Sequence, residues 1–185
     1  NQKGITRLCY GGSVIHTLPL GLMQTREMMQ IGAELFGHAG LESDLEIQEL
    51  MIKSLNLVGI RDINLDLGHV AIFRSLVKHA KISPEQEEIL LRHLRHKDIP
   101  ELMAYLETLS LNETHKRAFA ILPRLYWVGM EVLDHAQSVL PHYAETQKAL
   151  AELREAATRL APLVSSIRFD LGELRGYHYH SALVF

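Results

Sequence analysis

Two polar side chains in one strand-like segment offer the clearest ligand chemistry in the sequence. Gln30 and Glu34 lie within residues 26–37, and their spacing of four positions along a strand places them on the same face. The amide and carboxylate oxygens of such a pair can accept hydrogen bonds from an amine or an imidazole. A solvated sheet face can carry the same residues, so the spacing alone leaves both interpretations open.

Histidine is abundant, with eleven among 185 residues, which raises the question of a metal site. His93 and His96 stand three apart on a helical segment, but the basic residues around them oppose a cation and indicate a solvated basic face. His178 and His180 alternate in a segment that we interpret as a strand. No carboxylate or thiol motif accompanies them, so they favour a polar pocket, and we expect neither a metal nor another cofactor.

Signatures of catalysis are missing from the sequence. The pair Gly11-Gly12 fits neither a G-x-x-x-x-G-K phosphate loop nor a G-x-G-x-x-G dinucleotide motif, and there is no G-x-S-x-G. Cys9 is the single cysteine, which excludes an internal disulfide and a cysteine zinc site. We interpret Cys9 as a small core residue.

Composition narrows the class of protein. Apolar residues make up 47% of the chain, enough for a hydrophobic core, and the net charge of −3 argues against a broadly basic nucleic-acid surface. The single cysteine fits a reducing cytosol, and neither a signal peptide nor a long apolar run is present, so we expect a cytoplasmic protein without membrane insertion. The start at Asn1 and the strand-like end at Phe185 predict a fragment of a longer protein.

Periodicity predicts the strands and helices that carry these residues. Residues 5–17 and 26–37 predict a β-hairpin with a long tip and a turn or bulge at Gly11-Gly12. Helical spacing predicts a helix from Ser43 or Asp44 to Gly59 and another over 70–81, and alternation predicts a half-buried strand over 63–67.

The second half of the sequence changes character. Ser83-Pro84 with Gln86, and Asp98 with Pro100, are helix starts, and residues 83–160 predict a helical insertion. Strands are expected again over 166–170 and 177–185. Strands divided by helices in this way predict an α+β fold with a mostly antiparallel sheet.

Two stretches carry a family resemblance that covers almost the whole chain. Residues 7–47, with REMMQIGAELFG followed by SDLEI, and residues 169–185, with LRGYHYH, resemble the catalytic domain of class II histidyl-tRNA synthetases. They resemble more closely the non-catalytic paralogues of those enzymes, the regulatory subunits of ATP phosphoribosyltransferase. LDLGHVAIF at 65–73 supports the same assignment.

The resemblance also shows where the chain departs from a working synthetase. A synthetase binds ATP through an R-x-E pair on a β-hairpin, and the matching residues here are His16 and Leu18. Leucine cannot accept a hydrogen bond from adenine, and a largely neutral histidine cannot replace the charged fork of arginine. These two residues form a degenerate ATP motif, so we expect no catalytic residues.

The amino-acid pocket implied by the resemblance is partly kept. Gln30 and Glu34 match the amino-acid-binding end of the hairpin motif. The synthetase pattern R-G-L-D-Y-Y corresponds here to Arg175-Gly176-Tyr177-His178-Tyr179-His180. The predicted histidine-like pocket therefore consists of Gln30, Glu34, Arg175, Tyr179 and His180. A vestigial pocket filled by its own histidine side chains is the alternative.

The resemblance implies a class II synthetase-like antiparallel sheet flanked by helices, of which residues 1–185 form a part. It implies a regulatory subunit that assembles with a short-form catalytic subunit into a hetero-octamer. Such a subunit is required for the first step of histidine biosynthesis and for its feedback regulation, with histidine as the expected ligand. The alternatives are a histidyl-tRNA synthetase or related amino-acid-activating enzyme, and a stand-alone histidine-sensing module.

Overall fold

A computed structural model describes residues 4–17, 25–180 and 182–185. The chain divides into two compact units, Asn1–Ile47 and Gln48–Phe185, and the division falls inside the first helix. In chain order the elements are β1 (Thr6–Ile15), β2 (Glu27–Phe36), α1 (Leu41–Leu57), β3 (Asn64–His69), α2 (Val70–Ala80), α3 (Pro84–Arg95), α4 (Ile99–Thr108), α5 (Glu113–Ile121), β4 (Tyr126–Val128), α6 (Glu131–Val139), α7 (Ala144–Leu160), β5 (Ser166–Asp170) and β6 (Leu183–Val184). Short 3-10 helices occupy Leu122–Arg124 and Ala161–Leu163.

The first unit confirms the predicted hairpin. Strands β1 and β2 pair antiparallel from Thr6 opposite Phe36 to Ile15 opposite Glu27. The pairing continues through Gly11 and Gly12 without interruption, so the turn or bulge predicted there is wrong: each glycine has a partner on β2. Cys9 is exposed, which corrects its interpretation as a core residue. Most of the predicted tip lies outside the described residues.

The second unit contains a four-stranded sheet in the order β4-β5-β3-β6. Strands β3 and β5 are parallel, from Asn64 opposite Ser166 to Leu67 opposite Phe169, whereas β4 and β6 pair antiparallel with their neighbours. Of the four strand pairs formed by the described residues, three are antiparallel, as the mostly antiparallel prediction requires. The central parallel pair was not anticipated.

Strand β3 shows why alternation predicted the half-buried strand correctly. Leu65 and Leu67 are buried, whereas Asn64 and Asp66, which alternate with them, are exposed. Successive side chains of a strand point to opposite faces, so the two buried leucines lie on the same face of the sheet. The burial of its apolar face fixes the register of this strand, because a slip of one residue would expose both leucines.

The predicted helix starts are also confirmed. Ser83 accepts a hydrogen bond from the Gln86 N–H at 3.3 Å, and the Ser83 N–H donates to Gln86 Oε1 at 3.0 Å, a complete capping box. Asp98 accepts from the Glu101 N–H at 3.3 Å at the start of α4. Helix α1 begins at Leu41, two residues earlier than Ser43, whose hydroxyl instead donates to the Gly40 carbonyl.

Residues 83–160, all of them described, contain helices α3 to α7 and one strand, β4. The strand pairs with β5, with Trp127 opposite Phe169, so the segment contributes to the sheet as well as to the helical layer. No sequence pattern predicted this strand, because Tyr126–Val128 is only three residues long. Periodicity needs a longer window than that.

The predicted strand over 177–185 is wrong. Residues 175–179 form turns, and the strand is limited to Leu183–Val184. The reason is the burial of Tyr177, which is 5% exposed and donates its hydroxyl to Glu87 Oε1 at 2.5 Å. In the turn, this side chain contacts Phe73 and Glu87, and these tertiary contacts outweigh the β propensity of the aromatic residues.

His69 joins β3, α2 and α7. Its Nδ1 accepts from the Ala71 N–H at 3.2 Å and thereby caps α2, while its Nε2 lies 3.0 Å from Glu152 Oε2. The first contact requires an unprotonated Nδ1, so the neutral ring carries its proton on Nε2 and donates it to Glu152. Burial lowers the pKa of His69 more than Glu152 raises it.

The capping box of α3 predicts a measurable loss of stability on mutation. Ser83→Ala removes the acceptor for the Gln86 N–H, and we expect the free energy of unfolding to fall by about 1 kcal/mol in urea denaturation. Ser138→Ala is the matched control, because the Ser138 hydroxyl donates to the His135 carbonyl and caps no N–H. Equal losses in the two variants would contradict the role assigned to Ser83.

His69 predicts a pH dependence of stability. Because burial holds its pKa below the usual 6.5, the unfolded chain takes up the proton first as the pH falls. Its contribution is therefore complete above pH 6.5 and declines below it, by at most about 1.4 kcal/mol per pH unit. His69→Asn keeps an acceptor for the cap but cannot titrate. Urea denaturation between pH 7 and 5 should give a shallower decline for this variant, and parallel curves would disprove the assignment.

Candidate functional site

The predicted ligand face of the hairpin exists as a surface of strand β2. Gln30 and Glu34 lie on one face with Gly32 between them, and both side chains are exposed. The residues opposite them on β1 are Gly12 and Leu8. Directly opposed residues of an antiparallel pair point to the same face of the sheet. Gln30 therefore has no side chain opposite it, because its partner is Gly12, whereas Glu34 lies beside the Leu8 side chain.

Tyr10 completes this face, and no sequence pattern predicted it there. It lies opposite Gly32, and its hydroxyl accepts a hydrogen bond from the Gln30 side-chain amide at 2.7 Å. The Tyr10 ring extends across Gly32, where any Cβ would collide with it. The signal that could have revealed this contact was the glycine, since a glycine inside a strand often marks the close approach of another group.

The hydrogen bond from Gln30 leaves its carbonyl oxygen available as an acceptor, since the amide nitrogen is engaged with Tyr10. Among the described residues, the Glu34 carboxylate has no hydrogen-bond or ion-pair partner. The face therefore presents acceptor oxygens on both sides of the Tyr10 ring. That chemistry suits an ammonium group or an imidazole N–H.

The degenerate ATP motif begins where the hairpin pairing ends. The His16 N–H donates to the Arg26 carbonyl at 2.8 Å, and Arg26 Nε donates to the His16 carbonyl at 3.1 Å. These bonds extend the hairpin by one step beyond Ile15 opposite Glu27. Leu18, the second residue of the motif, lies outside the described residues.

The other three predicted pocket residues occupy one turn of the second unit. Arg175 is exposed and pairs with Glu173, Nε to Oε2 at 2.9 Å. Tyr179 is 80% exposed. The His180 N–H donates to the Gly176 carbonyl at 2.8 Å, and the His180 ring lies over Gly176, which has φ +65° and leaves no room for a Cβ.

Tyr177 anchors this turn to the helices of its unit. Its ring packs edge to face on Phe73 at 5.3 Å and lies under the Arg74 guanidinium at 4.8 Å, while Arg74 Nη2 donates to the Tyr177 carbonyl at 2.5 Å. His178 Nε2 lies 3.3 Å from Glu88 Oε2. Because this stretch turns, His178 and His180 do not share a strand face, which corrects that expectation.

Gln30 and Glu34 are thus brought onto one face, and Arg175, Tyr179 and His180 into one turn. The hairpin and the turn belong to different units, each described by itself. A pocket shared by all five residues remains a prediction.

A small cavity of about 110 Å³ lies elsewhere in the first unit, beside an ion pair of Arg7 and Glu46. Arg7 Nη2 donates to Glu46 Oε2 at 2.7 Å, while Nε donates to Oε1. This hydrogen bonding lowers the pKa of Glu46 below its usual range. None of the five predicted pocket residues lines this cavity.

Neither a metal-binding cluster nor a membrane-spanning helix is found in the ranges 4–17, 25–180 and 182–185. No three histidine, cysteine or acidic side chains are grouped there so that they could hold a metal ion. No helix in those ranges combines the length and apolar character needed to cross a bilayer.

Comparison with curated proteins places this chain among close relatives. It is 53% identical over its whole length to an ATP phosphoribosyltransferase regulatory subunit of Nitrosospira multiformis and 47% identical to one of Nitrosomonas eutropha. It covers 47% and 48% of those two proteins, so the chain spans about half the length of the curated relatives it matches.

Solved structures agree on the fold. An ATP phosphoribosyltransferase regulatory subunit/histidyl-tRNA synthetase from Bacillus halodurans matches with a TM-score of 0.80 at 23% identity, over 96% of this chain and 46% of that one. A chain of the ATP phosphoribosyl transferase complex from Thermotoga maritima matches with a TM-score of 0.72 at 17% identity, over 100% of this chain and 64% of that one. The fold is the α+β class II aminoacyl-tRNA synthetase fold, as predicted.

The family assignment comes from the sequence as a whole, beyond the motifs quoted above. A family model described as histidyl-tRNA synthetase matches residues 1–185. Since that match includes the hairpin, the helices and the second sheet alike, the chain belongs to the histidyl-tRNA synthetase family.

Proposed function

We propose that this chain is part of a non-catalytic regulatory subunit of ATP phosphoribosyltransferase. The observation that carries the proposal is the identity of 53% over the whole chain to a protein of that name. The complex from Thermotoga maritima supports a catalytic subunit as the partner, because one of its chains has the same fold. The assembly acts in the first step of histidine biosynthesis, in the cytoplasm, as a hetero-octamer.

His16 and Leu18 argue against the alternative of an aminoacyl-tRNA synthetase. They stand where a working synthetase has the R-x-E pair that binds ATP. Neither side chain can reproduce the paired charges of arginine and glutamate at neutral pH. In this proposal the chain keeps the synthetase scaffold, with residues 83–160 as an insertion in it, and uses it for binding.

Histidine is the proposed feedback ligand, and the acceptor face of the hairpin supports its site. Gln30 and Glu34 would take the ammonium group or the imidazole N–H, and Arg175 would supply a cation for the carboxylate. Tyr179 and His180 complete the set. Feedback then requires that histidine bind the active and inhibited states of the assembly with unequal affinity.

Reconstitution tests the proposal directly. The intact protein, mixed with a short-form catalytic subunit, should co-purify with it and raise the rate of ATP phosphoribosyltransferase turnover. Histidine should then lower that rate in a concentration-dependent way. Co-purification without any effect on the rate or on histidine sensitivity would overturn the regulatory function.

The same preparation decides between regulator and synthetase. Histidine-dependent exchange of pyrophosphate into ATP should stay at the background level, because the ATP motif is degenerate at His16. Clear histidine-dependent exchange would favour the synthetase instead.

Glu34→Gln tests the proposed histidine site, because it removes a charge and preserves the shape of the side chain. We expect the affinity for histidine to fall by roughly 10- to 100-fold in calorimetry on the assembled complex, the range for losing a charge-assisted hydrogen bond. Glu27→Gln is the matched control, since Glu27 is exposed on the same strand but on its opposite face. Unchanged affinity in Glu34→Gln would place the feedback site elsewhere.

A further inference from the structure

A second candidate site lies in the helical layer, and it shares no residue with the predicted histidine-binding pocket. Residues of helices α4, α5 and α6 line an open cavity of about 450 Å³. We call it the arginine groove, and its lining residues are Met103, Arg117, Ala120, Ile121, Arg124 and Val139.

One face of helix α5 packs in the core, and another face lines the groove. Ala118 and Phe119 are buried and fix one side of the helix in the core, where Phe119 packs edge to face on Phe73 at 5.9 Å. Ala120 and Ile121 remain half-buried and form the floor. The small side chain of Ala120 leaves the depression between the neighbouring helices open.

The two arginines give the groove its charge. Arg117 lies on α5 and Arg124 at the end of the following 3-10 helix, and both side chains are exposed. Within the part of the chain that the structure describes, neither guanidinium has a hydrogen-bond or ion-pair partner. The neighbouring Lys116, by contrast, is bound by Glu107 at 2.6 Å.

No acidic residue is among the six that line the groove, although the chain as a whole carries a net charge of −3. The lining itself therefore carries two positive charges and no negative one. The apolar part of the lining is also accessible, since Met103 is 43% exposed and Val139 is 40% exposed. Methionine and arginine next to exposed apolar surface are typical of protein interfaces.

We propose that the arginine groove binds an acidic segment of the catalytic subunit that also carries apolar side chains. The inference rests on the proposed function, because that function supplies the partner. Apolar side chains of the segment pack on Ala120 and Ile121, and its carboxylates accept paired hydrogen bonds from the two guanidiniums. The groove is open at Met103 and Val139, which suits a length of polypeptide better than an enclosed small molecule.

Charge reversal in the intact protein tests this. Binding of the purified catalytic subunit is measured by calorimetry for the wild type and for the double variant Arg117→Glu/Arg124→Glu. We expect the dissociation constant of the double variant to rise at least about tenfold, since reversed charges would repel the acidic segment. Arg61→Glu is the control, because Arg61 is another exposed arginine without a partner among the described residues.

Two further measurements keep the test decisive. Thermal melting must show that the double variant is folded. Arg117→Lys/Arg124→Lys keeps both charges but lacks the planar guanidinium groups that form paired hydrogen bonds, and it should bind with intermediate affinity. Added salt should weaken the binding of wild type more than that of Arg117→Gln/Arg124→Gln, because it screens the proposed ion pairs.

The outcomes separate the two proposals. Failure of the wild type to bind the catalytic subunit at all would overturn the proposed function, and this inference with it. Normal binding by the wild type and by the folded charge-reversal variant would overturn the arginine groove alone. A similar loss of affinity in Arg61→Glu would show a general charge effect and would also overturn it.

Discussion

The parallel pairing of β3 with β5 is the constraint on which the second unit depends. The paired residues Asn64 and Ser166 are 102 positions apart, yet they are neighbours in the sheet. Parallel strands cannot be joined by a tight turn, so the chain must leave one end of β3 and return to the other end of the sheet. Helices α2 to α7 make that crossover, and closing so long a loop costs entropy that the packing of the helices must offset.

Buried apolar side chains supply that packing. Leu67 and Phe169 meet at the parallel pair, and both are almost fully buried. In the helical layer, Phe73 contacts both Phe119 and Tyr177, edge to face in both cases. This aromatic series links α5 and the turn after β5 to α2. The proposed groove and the turn that carries Arg175 are therefore held by the same core.

Each proposed binding surface combines a rigid support with unpaired polar groups. On the hairpin, the Tyr10 hydroxyl fixes the Gln30 amide, whereas Glu34 remains without a partner among the described residues. On α5, Phe119 holds the helix while Arg117 stays exposed. A regulatory subunit needs such an arrangement, because a ligand can shift an equilibrium only through contacts whose strength differs between states.

Features that depend on neighbours along the chain could be predicted from the sequence. The hairpin, the alternation of β3 and the capping of α3 by Ser83 follow from local periodicity and local hydrogen bonds, and all were predicted. So was the pairing of Gln30 and Glu34 on one face, since it needs only the period of a strand.

Features that depend on residues distant in sequence could be seen only in the folded structure. The parallel partner of β3, the three-residue strand β4 and the turn at Tyr177 each result from contacts across the sheet or with the helical layer. Tyr177 has the β propensity that predicted a strand, but its buried contacts with Phe73, Arg74 and Glu87 outweigh that preference. Propensity acts on one residue at a time, whereas burial depends on which distant surfaces the folded chain brings to it.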